Sequence, residues 1–336
     1  MAHETATPPD PLSSRDEASD AAWLVALEAA RNADQAFRTA RRATFAVEPN
    51  PAAGQAPLRI VADDHPEALL CWQPGSGWVA LLPPGDPRRA LLDLYLPICS
   101  ATETTPITVG HLGQSLDGFI ATPSGDSQFV TGPENIRHLH RMRALCDAIV
   151  VGAGTIAADD PQLTTRHVSG PSPLRVVLDP MRRLGEHYKV FRDDAAETLY
   201  VCSRSVVAPG ERHVGRASLV AVADTPHGLD VAEVTRLLRA RGCHRIFVEG
   251  GGVTVSMFLE ANQLDRLQVA IAPLIIGSGR PAIRLPPSHS LSDCRRPAYR
   301  VFRMGSDILF DCDMTADANG TSHDRAAAIP PVSRVI

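Results

Sequence analysis

The sequence predicts an α/β protein: a mostly parallel sheet flanked by helices over residues 106–313, closed by an antiparallel C-terminal hairpin, behind a small α+β domain over 19–100. Three observations predict it. Beyond residue 106, short apolar segments alternate with stretches of helical periodicity, which argues for parallel strands with helices on the sheet faces. Two of those apolar segments run directly into glycine turns. Near the end, Tyr299–Met304 and Asp307–Cys312 flank Gly305-Ser306, the form of a β-hairpin.

Taken in order, residues 1–18 are polar and contain Pro and Ser, which predicts a disordered tail. Ser19 or Asp20 can cap a helix over 21–43, with Trp23, Leu24, Leu27 and Ala30 on one face. Strands are predicted at 58–61, 68–73 and 77–82, the last two joined at Pro74-Gly75-Ser76. Trp72 and Trp78 beside that turn are expected to fill a small core rather than mark an interface. A short helix is predicted over 88–96, and the Thr-rich stretch 100–106 is the domain boundary.

The larger domain is expected to carry strands at 107–112, 147–151, 174–178, 198–202, 218–222, 245–248 and 267–272, then the hairpin. Its helices are predicted at 133–145, 155–158, 230–241 and 253–261, with a loose polar tail over 314–336. No internal repeat is present.

Composition narrows the function. Of 336 residues, 44% are hydrophobic and 21% charged, ordinary for a globular protein. The net charge of −5 falls within residues 1–100, and neither part offers the basic field that nucleic acid or an anionic membrane requires. Seven dispersed cysteines without a CxxC pair predict reduced thiols in a cytoplasm. No apolar run reaches the ~18–20 residues of a membrane span. His138 and His140 lack an HExxH frame or cysteine partners, so no metal is expected; GxSxG and P-loop motifs are also absent.

The chemistry concentrates at the two glycine turns, Val150-Val151-Gly152-Ala153-Gly154-Thr155 and Val248-Glu249-Gly250-Gly251-Gly252-Val253-Thr254. Glycine lets a backbone approach a ligand, and a following helix start offers free amides to an anion. Each turn alone fits a plain βα connection equally well; two in one domain suggest a phosphate-rich ligand. A dinucleotide fingerprint is only partly matched, since Ala157 stands at the third glycine, although Asp179 supplies an acid at the end of 174–178. Glu249 at a strand end is a candidate ligand contact. Asp160 before Pro161 reads first as a turn residue, and Arg143, beside Arg141 and His140, reads first as part of a solvated helix face.

Several segments together resemble the reductase domain of riboflavin-biosynthesis deaminase/reductases. They are Ser115-Leu116-Asp117-Gly118-Phe119-Ile120-Ala121 and Gly125-Asp126-Ser127-Gln128-Phe129-Val130-Thr131-Gly132, then Asp159-Asp160-Pro161-Gln162-Leu163-Thr164-Thr165-Arg166, Pro173-Leu174-Arg175-Val176-Val177-Leu178-Asp179 and Val248-Glu249-Gly250-Gly251. The resemblance covers residues 106–313. It implies a dihydrofolate-reductase-like fold, a homodimer, and NADPH-dependent reduction of the ribosyl group of a ribosylamino-pyrimidine 5′-phosphate to a ribityl chain. It further implies that Gly113, Phe129, Gly152, Gly154, Thr155, Asp159, Gly251, Gly252, Val253 and Thr254 contact NADPH. Ser127, Arg143, Leu163, Arg166 and Glu249 are implied to contact substrate, with Glu249 or Asp159 stabilising the positive charge that develops at C1′.

Three departures stand out. His111 occupies a position where the family often has lysine, replacing a fixed cation with a group expected to titrate near neutrality. Phe129 stands where tryptophan is common. Residues 1–100 lack the H-x-E and P-C-x-x-C pair of a zinc deaminase. Two other functions remain in view: a reductase of a pterin or of a flavin-like or deazapurine intermediate, and a non-catalytic nucleotide-binding relative.

Overall fold

The computed structural model describes residues 11–315 apart from Ala40, Asn50, Pro51, Ala53, Phe129 and His227. The chain divides into two compact units, Met1–Thr105 and Pro106–Ile336.

The first unit runs α1 (Pro11–Arg38), β1 (Ala43–Val47), β2 (Leu58–Val61), β3 (Leu70–Gln73), β4 (Gly77–Ala80) and α2 (Arg89–Cys99), with antiparallel sheet order β2-β1-β3-β4. Helix α1 begins ten residues before the expected start and occupies part of the segment expected to be disordered. Residues 11–20 carry too few apolar side chains to show a period, but proline suits a first helical position. The helix also stops at Arg38, short of the expected 43, and Ala43–Val47 is a strand paired on both sides, to which the sequence reading assigned no strand. Ala22, Trp23, Ala26, Leu27, Ala30 and Ala33 form its buried stripe. Trp23 meets Tyr95 of α2 edge-on at 5.5 Å, and Trp78 meets Phe45 and Trp72 at 5.0 and 5.2 Å, so all three tryptophans fill the core. Helix α2 continues through Pro97 instead of ending before it, its last turn anchored by the fully buried Ile98 and Cys99.

The second unit opens with β5 (Ile107–Ser115), β6 (Phe119–Ala121), α3 (Pro133–Leu145), β7 (Ala148–Gly152), α4 (Ala153–Asp159), β8 (Leu174–Leu178) and α5 (Lys189–Arg192). There follow β9 (Thr198–Ser203), β10 (His213–Val214), β11 (Ala217–Val222), β12 (Asp224–Thr225), β13 (Gly228–Leu229), α6 (Val231–Ala240) and β14 (Arg245–Glu249). It closes with α7 (Gly252–Glu260), β15 (Arg266–Ala272), β16 (Arg280–Pro281), β17 (Ala298–Met304) and β18 (Asp307–Asp313). Ten strands form one sheet in the order β10-β11-β9-β8-β7-β14-β5-β15-β18-β17. From β11 to β15 neighbours run parallel, and β18 and β17 add the expected antiparallel hairpin at one edge. The short strands β6, β12, β13 and β16 escaped the sequence reading because two or three residues carry no period. Of the expected tail, Met314 and Thr315 form a bend, and residues 316–336 lie outside the described residues.

Alternation along the strands sends two kinds of side chain to opposite faces. Leu112, Val150, Val176, Val201 and Val248 join Val234 and Leu238 of α6 and Val255 and Phe258 of α7 in one apolar core. The other face carries a polar rung: Glu249, His111, Gln268, Asp311 and Arg300 lie side by side across β14, β5, β15, β18 and β17. Helix α3 covers it. His138 donates Nε2–H to Gln268 Oε1 at 2.9 Å, Gln268 Nε2 donates to Asp311 Oδ1 at 3.3 Å, and Arg266 and Arg300 each bond Asp311 at 2.6 and 2.7 Å. The helix face expected to be solvated is thus buried: His140, Arg141 and Arg143 are 3%, 7% and 7% exposed.

This buried layer has a pH cost. Burial lowers the His138 pKa to about 4 and that of His140 to about 3, and takes His111 well below 6.5. The unfolded chain binds protons at these positions near 6.5 while the folded chain does not, so stability falls as pH drops from about 6.5 toward 4. Each histidine contributes a slope of at most about 1.4 kcal/mol per pH unit. Denaturant unfolding monitored at pH 7.5 and pH 5 should show the loss; equal stability at the two values would contradict it.

Candidate active site

A cavity of about 550 Å³ opens at the carboxyl ends of β7, β14 and β8 and beside the middle of β5. Open α/β sheets bind ligands at this end of their strands, where loops are free to converge. Its walls come from segments far apart in sequence, among them His111-Leu112-Gly113, Ser127, the two glycine turns, Asp159 and Arg183.

The glycine turns interlock. Because β7 and β14 are adjacent parallel strands with Val150 opposite Val248, their turns leave the sheet at the same height. Thr155, from the first turn, accepts the Gly251 amide of the second at 3.3 Å. Gly250 has φ 116°, and a Cβ there would stand 2.9 Å from Thr155 Oγ1. In return, Thr254 sits where a Cβ on Gly152 would go. Helix α7 starts at Gly252 with no side-chain cap, and although the Thr254 amide bonds the Gly251 carbonyl at 3.1 Å, an uncapped helix start of this kind suits an anion. Gly154 has no atom within 4 Å of its notional Cβ, leaving its backbone bare at the cavity wall.

At the other end stands Glu249. Arg143 of α3 grips it with two parallel bonds, Nε to Oε2 at 2.9 Å and Nη2 to Oε1 at 2.6 Å, and both side chains are nearly buried at 8% and 12% exposure. The remaining Arg143 nitrogen donates to the Thr164 carbonyl at 3.3 Å. That bond fastens the loop after α4, in which Asp160 and Leu163 hold φ of 38° and 57°. Left-handed backbone is costly for non-glycine residues and persists only where surroundings enforce it. Arg166 follows in this loop, exposed, donating to Thr164 Oγ1 at 2.9 Å, and its amide donates to His140 Nδ1 at 3.1 Å. Asp159 lies on the cavity wall, where partial burial raises its pKa above 3.8.

The structure therefore brings Gly113, Ser127, Gly152, Gly154, Thr155, Asp159, Glu249, Gly251, Gly252, Val253 and Thr254 to one cavity. Arg143 and Leu163 lie behind its wall, Leu163 fully buried, and Arg166 lies on the adjoining loop. Phe129 lies outside the described residues. His111 also lines the cavity, 3% exposed, with neither ring nitrogen hydrogen-bonded. Burial first, then neighbouring His138, holds its pKa well below 6.5; the nearby Asn135 amide pulls the other way without an aligned bond to the ring. This corrects the expectation that His111 titrates near neutrality: it is a neutral imidazole.

Residues that the sequence reading missed include Asn135, Arg183, Arg280 and Arg284, all on the cavity wall. Asn135 and His138, three apart on α3, mark a polar stripe within a buried helix face, and that spacing was the available signal. In the first unit, His65-Pro66-Glu67 does read H-x-E. Its ring Nδ1 accepts the Glu67 amide in a surface turn, and Cys71 and Cys99 are both buried. Among the described residues, no three His, Cys, Asp or Glu side chains cluster as a metal site, and no helix is long and apolar enough to cross a membrane.

Residues 107–309 match the RibD C-terminal domain. The chain belongs to that family. Across 215 residues it is 34% identical to the 2,5-diamino-6-ribosylamino-4(3H)-pyrimidinone 5′-phosphate reductase of Methanothermobacter thermautotrophicus, covering 61% of this chain and 97% of the relative. It is 31% identical over 180 residues to the riboflavin biosynthesis protein RibD of Aquifex aeolicus, covering 53% of this chain and about half of that longer protein, 49%. Among solved structures, the deaminase/5-amino-6-(5-phosphoribosylamino)uracil reductase of Thermotoga maritima superposes with a TM-score of 0.52 at 27% identity, covering 62% of this chain and 56% of that one. As a RibD C-terminal domain, the second unit accounts for all of the cavity; the first unit lies outside the match.

Two glycines separate folding from binding. Gly154→Ala places a methyl in open space at the first turn of α4, so thermal stability should hold while dinucleotide affinity falls. Gly252→Ala drives a Cβ into the Ala282 carbonyl oxygen and to 2.8 Å from that of Pro281. It should lower the melting temperature by several degrees, the effect of about 1–2 kcal/mol. Scanning calorimetry with parallel titrations checks both, and equal destabilisation by the two variants would contradict the geometry.

Proposed function

We propose that this protein is an NADPH-dependent reductase that converts the ribosyl group of a 5-amino-6-(ribosylamino)pyrimidine 5′-phosphate to the ribityl form, without deaminase activity. One observation carries the reading: two interlocked glycine turns and a fixed carboxylate face a single cavity in a chain that aligns with nearly the whole length of a 2,5-diamino-6-ribosylamino-4(3H)-pyrimidinone 5′-phosphate reductase. The protein is read as a cytoplasmic homodimer, with the phosphorylated pyrimidine as its small-molecule partner.

The donor set fits the cofactor. The uncapped start of α7, from Gly251 through Thr254, suits its pyrophosphate, and Gly152, Gly154 and Thr155 let it lie close against the sheet. Gly113, where a Cβ would meet Thr131 Cγ2 at 2.8 Å, and Asp159 would complete the nicotinamide end, with Phe129 joining them by its place in the family motif. Bound there, the cofactor supplies a hydride.

This chain's own residues do the rest. Alignment of the reacting carbons is their main task, since restricting two reactants in one geometry removes most of the entropic barrier. Glu249 presents its carboxylate at a fixed point, and Arg143 is the positioning residue that holds it there. Asp159 lines the same cavity, and the two carboxylates offset positive charge as C1′ of the open-chain substrate becomes electron-deficient. Arg166, on the adjoining loop with one guanidinium nitrogen on Thr164 and Gln162, is the residue read as meeting the 5′-phosphate. Ser127 lines the same wall, and the buried Leu163 shapes the loop rather than touching substrate.

Purified protein should oxidise NADPH when given the ribosylamino-pyrimidine phosphate. A pterin or flavin-like substrate is the second reading, favoured by the neutral His111, whose two unpaired nitrogens suit a heterocycle edge; turnover on a pterin alone would select it, and binding without turnover would mark a non-catalytic relative. Arg166→Ala should raise the KM for substrate about tenfold or more and leave that for NADPH within twofold. An unchanged substrate KM would remove Arg166 from the site. Asp159 acts as its anion and protonates above the ordinary aspartate range, so kcat should fall on the acid side at a pH above 3.8. Asp159→Asn should lower kcat and abolish that limb, and a limb that persists in the variant would assign it elsewhere.

A further inference from the structure

Helix α3 grips the loop after α4 at a second point besides the Arg143 bond. His140 and Arg143 stand three residues apart on α3 and therefore share a face. Arg143 Nη1 donates to the Thr164 carbonyl at 3.3 Å, and His140 Nδ1 accepts the Arg166 amide at 3.1 Å. Thr165, between them, bonds the other way. Its amide donates to Ser172 Oγ at 3.2 Å and its hydroxyl to the Pro171 carbonyl at 2.8 Å. The stretch thus alternates as extended backbone does, presenting residues 164 and 166 to the helix.

The His140 ring is suited to this hold. The residue is 3% exposed, and His167, next along the loop, meets its ring edge-on at 4.4 Å. Burial first, then Arg143, His167 and Arg166, lower its pKa to about 3, against an opposing bond to the Thr164 backbone. Nδ1 therefore keeps the lone pair that an amide donor needs, and the ring proton sits on Nε2.

The Arg166 side chain has no such anchor of its own. One guanidinium nitrogen donates to Thr164 Oγ1 at 2.9 Å and to Gln162 Oε1 at 3.3 Å, both within the same loop. Partners that move with the loop leave the guanidinium undefined relative to the cavity. The amide bond to α3 defines it, because α3 is tied to β14 through Arg143 and Glu249.

We infer that His140 is a positioning residue for the substrate: by holding the Arg166 amide it fixes where the Arg166 guanidinium stands, and so sets affinity for the phosphorylated end of the ligand. The inference rests on the reading of Arg166 as the group that meets that phosphate. His140 itself does not line the cavity, so its effect passes through Arg166.

Asparagine and leucine separate the bond from the bulk. His140→Asn puts an amide oxygen near the place of Nδ1, and His140→Leu, of nearly the same shape, puts a methyl there. Exchange of the Arg166 amide with deuterated solvent, read by NMR on the full chain, is measured beside kinetics with NADPH and the ribosylamino-pyrimidine phosphate. In His140→Leu the amide should exchange about tenfold faster or more, and the substrate KM should rise about fivefold or more. Its kcat and NADPH KM should stay within about twofold, and His140→Asn should bring exchange and KM back to within about twofold of wild type. His140→Gln, polar but with its acceptor displaced, should follow the leucine variant and replaces it if leucine prevents folding. In an Arg166→Ala background, His140→Leu should change the substrate KM by no more than about twofold, because the side chain it positions is gone. Unchanged exchange, faster exchange with an unchanged KM, equal KM increases in the leucine and asparagine variants, or a full increase in the Arg166→Ala background would each overturn the role of His140. Absence of wild-type turnover would overturn the reading of the cavity instead, and the inference with it.

Discussion

A guanidinium cannot be buried alone, and the need to pair Arg143 organises one end of the cavity. Arg143 enters from α3 and Glu249 from β14, 106 residues later, and their two bonds join the helix to the sheet. The carboxylate is thereby held at the cavity wall in one orientation. Arg143's third nitrogen fastens Thr164, and with it the strained loop that carries Asp159 at one end and Arg166 at the other. The glycine-turn end rests on a different constraint, the adjacency of β7 and β14, which puts two glycine turns close enough for Thr155 and Thr254 to fill each other's glycine hollows.

Most of the second unit's architecture was legible because its strands are short apolar runs bounded by glycine, and its helices keep a period. Each glycine turn was visible too, but its meaning was not: Gly152 and Thr254 are far apart in sequence, and only strand order reveals that they touch. Arg143, His140 and Arg141 misled, since a charged helix face reads as solvated unless the partner on the sheet is known. The strand Ala43–Val47 was hidden for a similar reason. Its pairing with β2 and β3, rather than its local pattern, ends the preceding helix. Asp179 was noticed as a ribose-binding candidate, yet its three donors place it among the loop-forming groups.

His111 brings a neutral ring into the polar layer. It sits on β5 between Glu249 and Gln268 in the polar rung, so it inherits a buried position designed around hydrogen bonds. Burial keeps the ring neutral, and both its nitrogens face an environment that offers no protein partner. An unpaired buried polar group costs free energy until something bonds it, and His111 lines the cavity wall.

The central claim is that the cavity aligns a reduced nicotinamide with C1′ of a ribosylamino-pyrimidine. Its most direct test follows the transferred hydrogen: incubation with NADPH deuterated at nicotinamide C4 on the transferred face, then mass spectrometry and NMR of the product. One deuterium is expected, at C1′ of a ribityl chain. A ribityl product free of deuterium from both C4 epimers of the cofactor, or label at any other carbon, would contradict it.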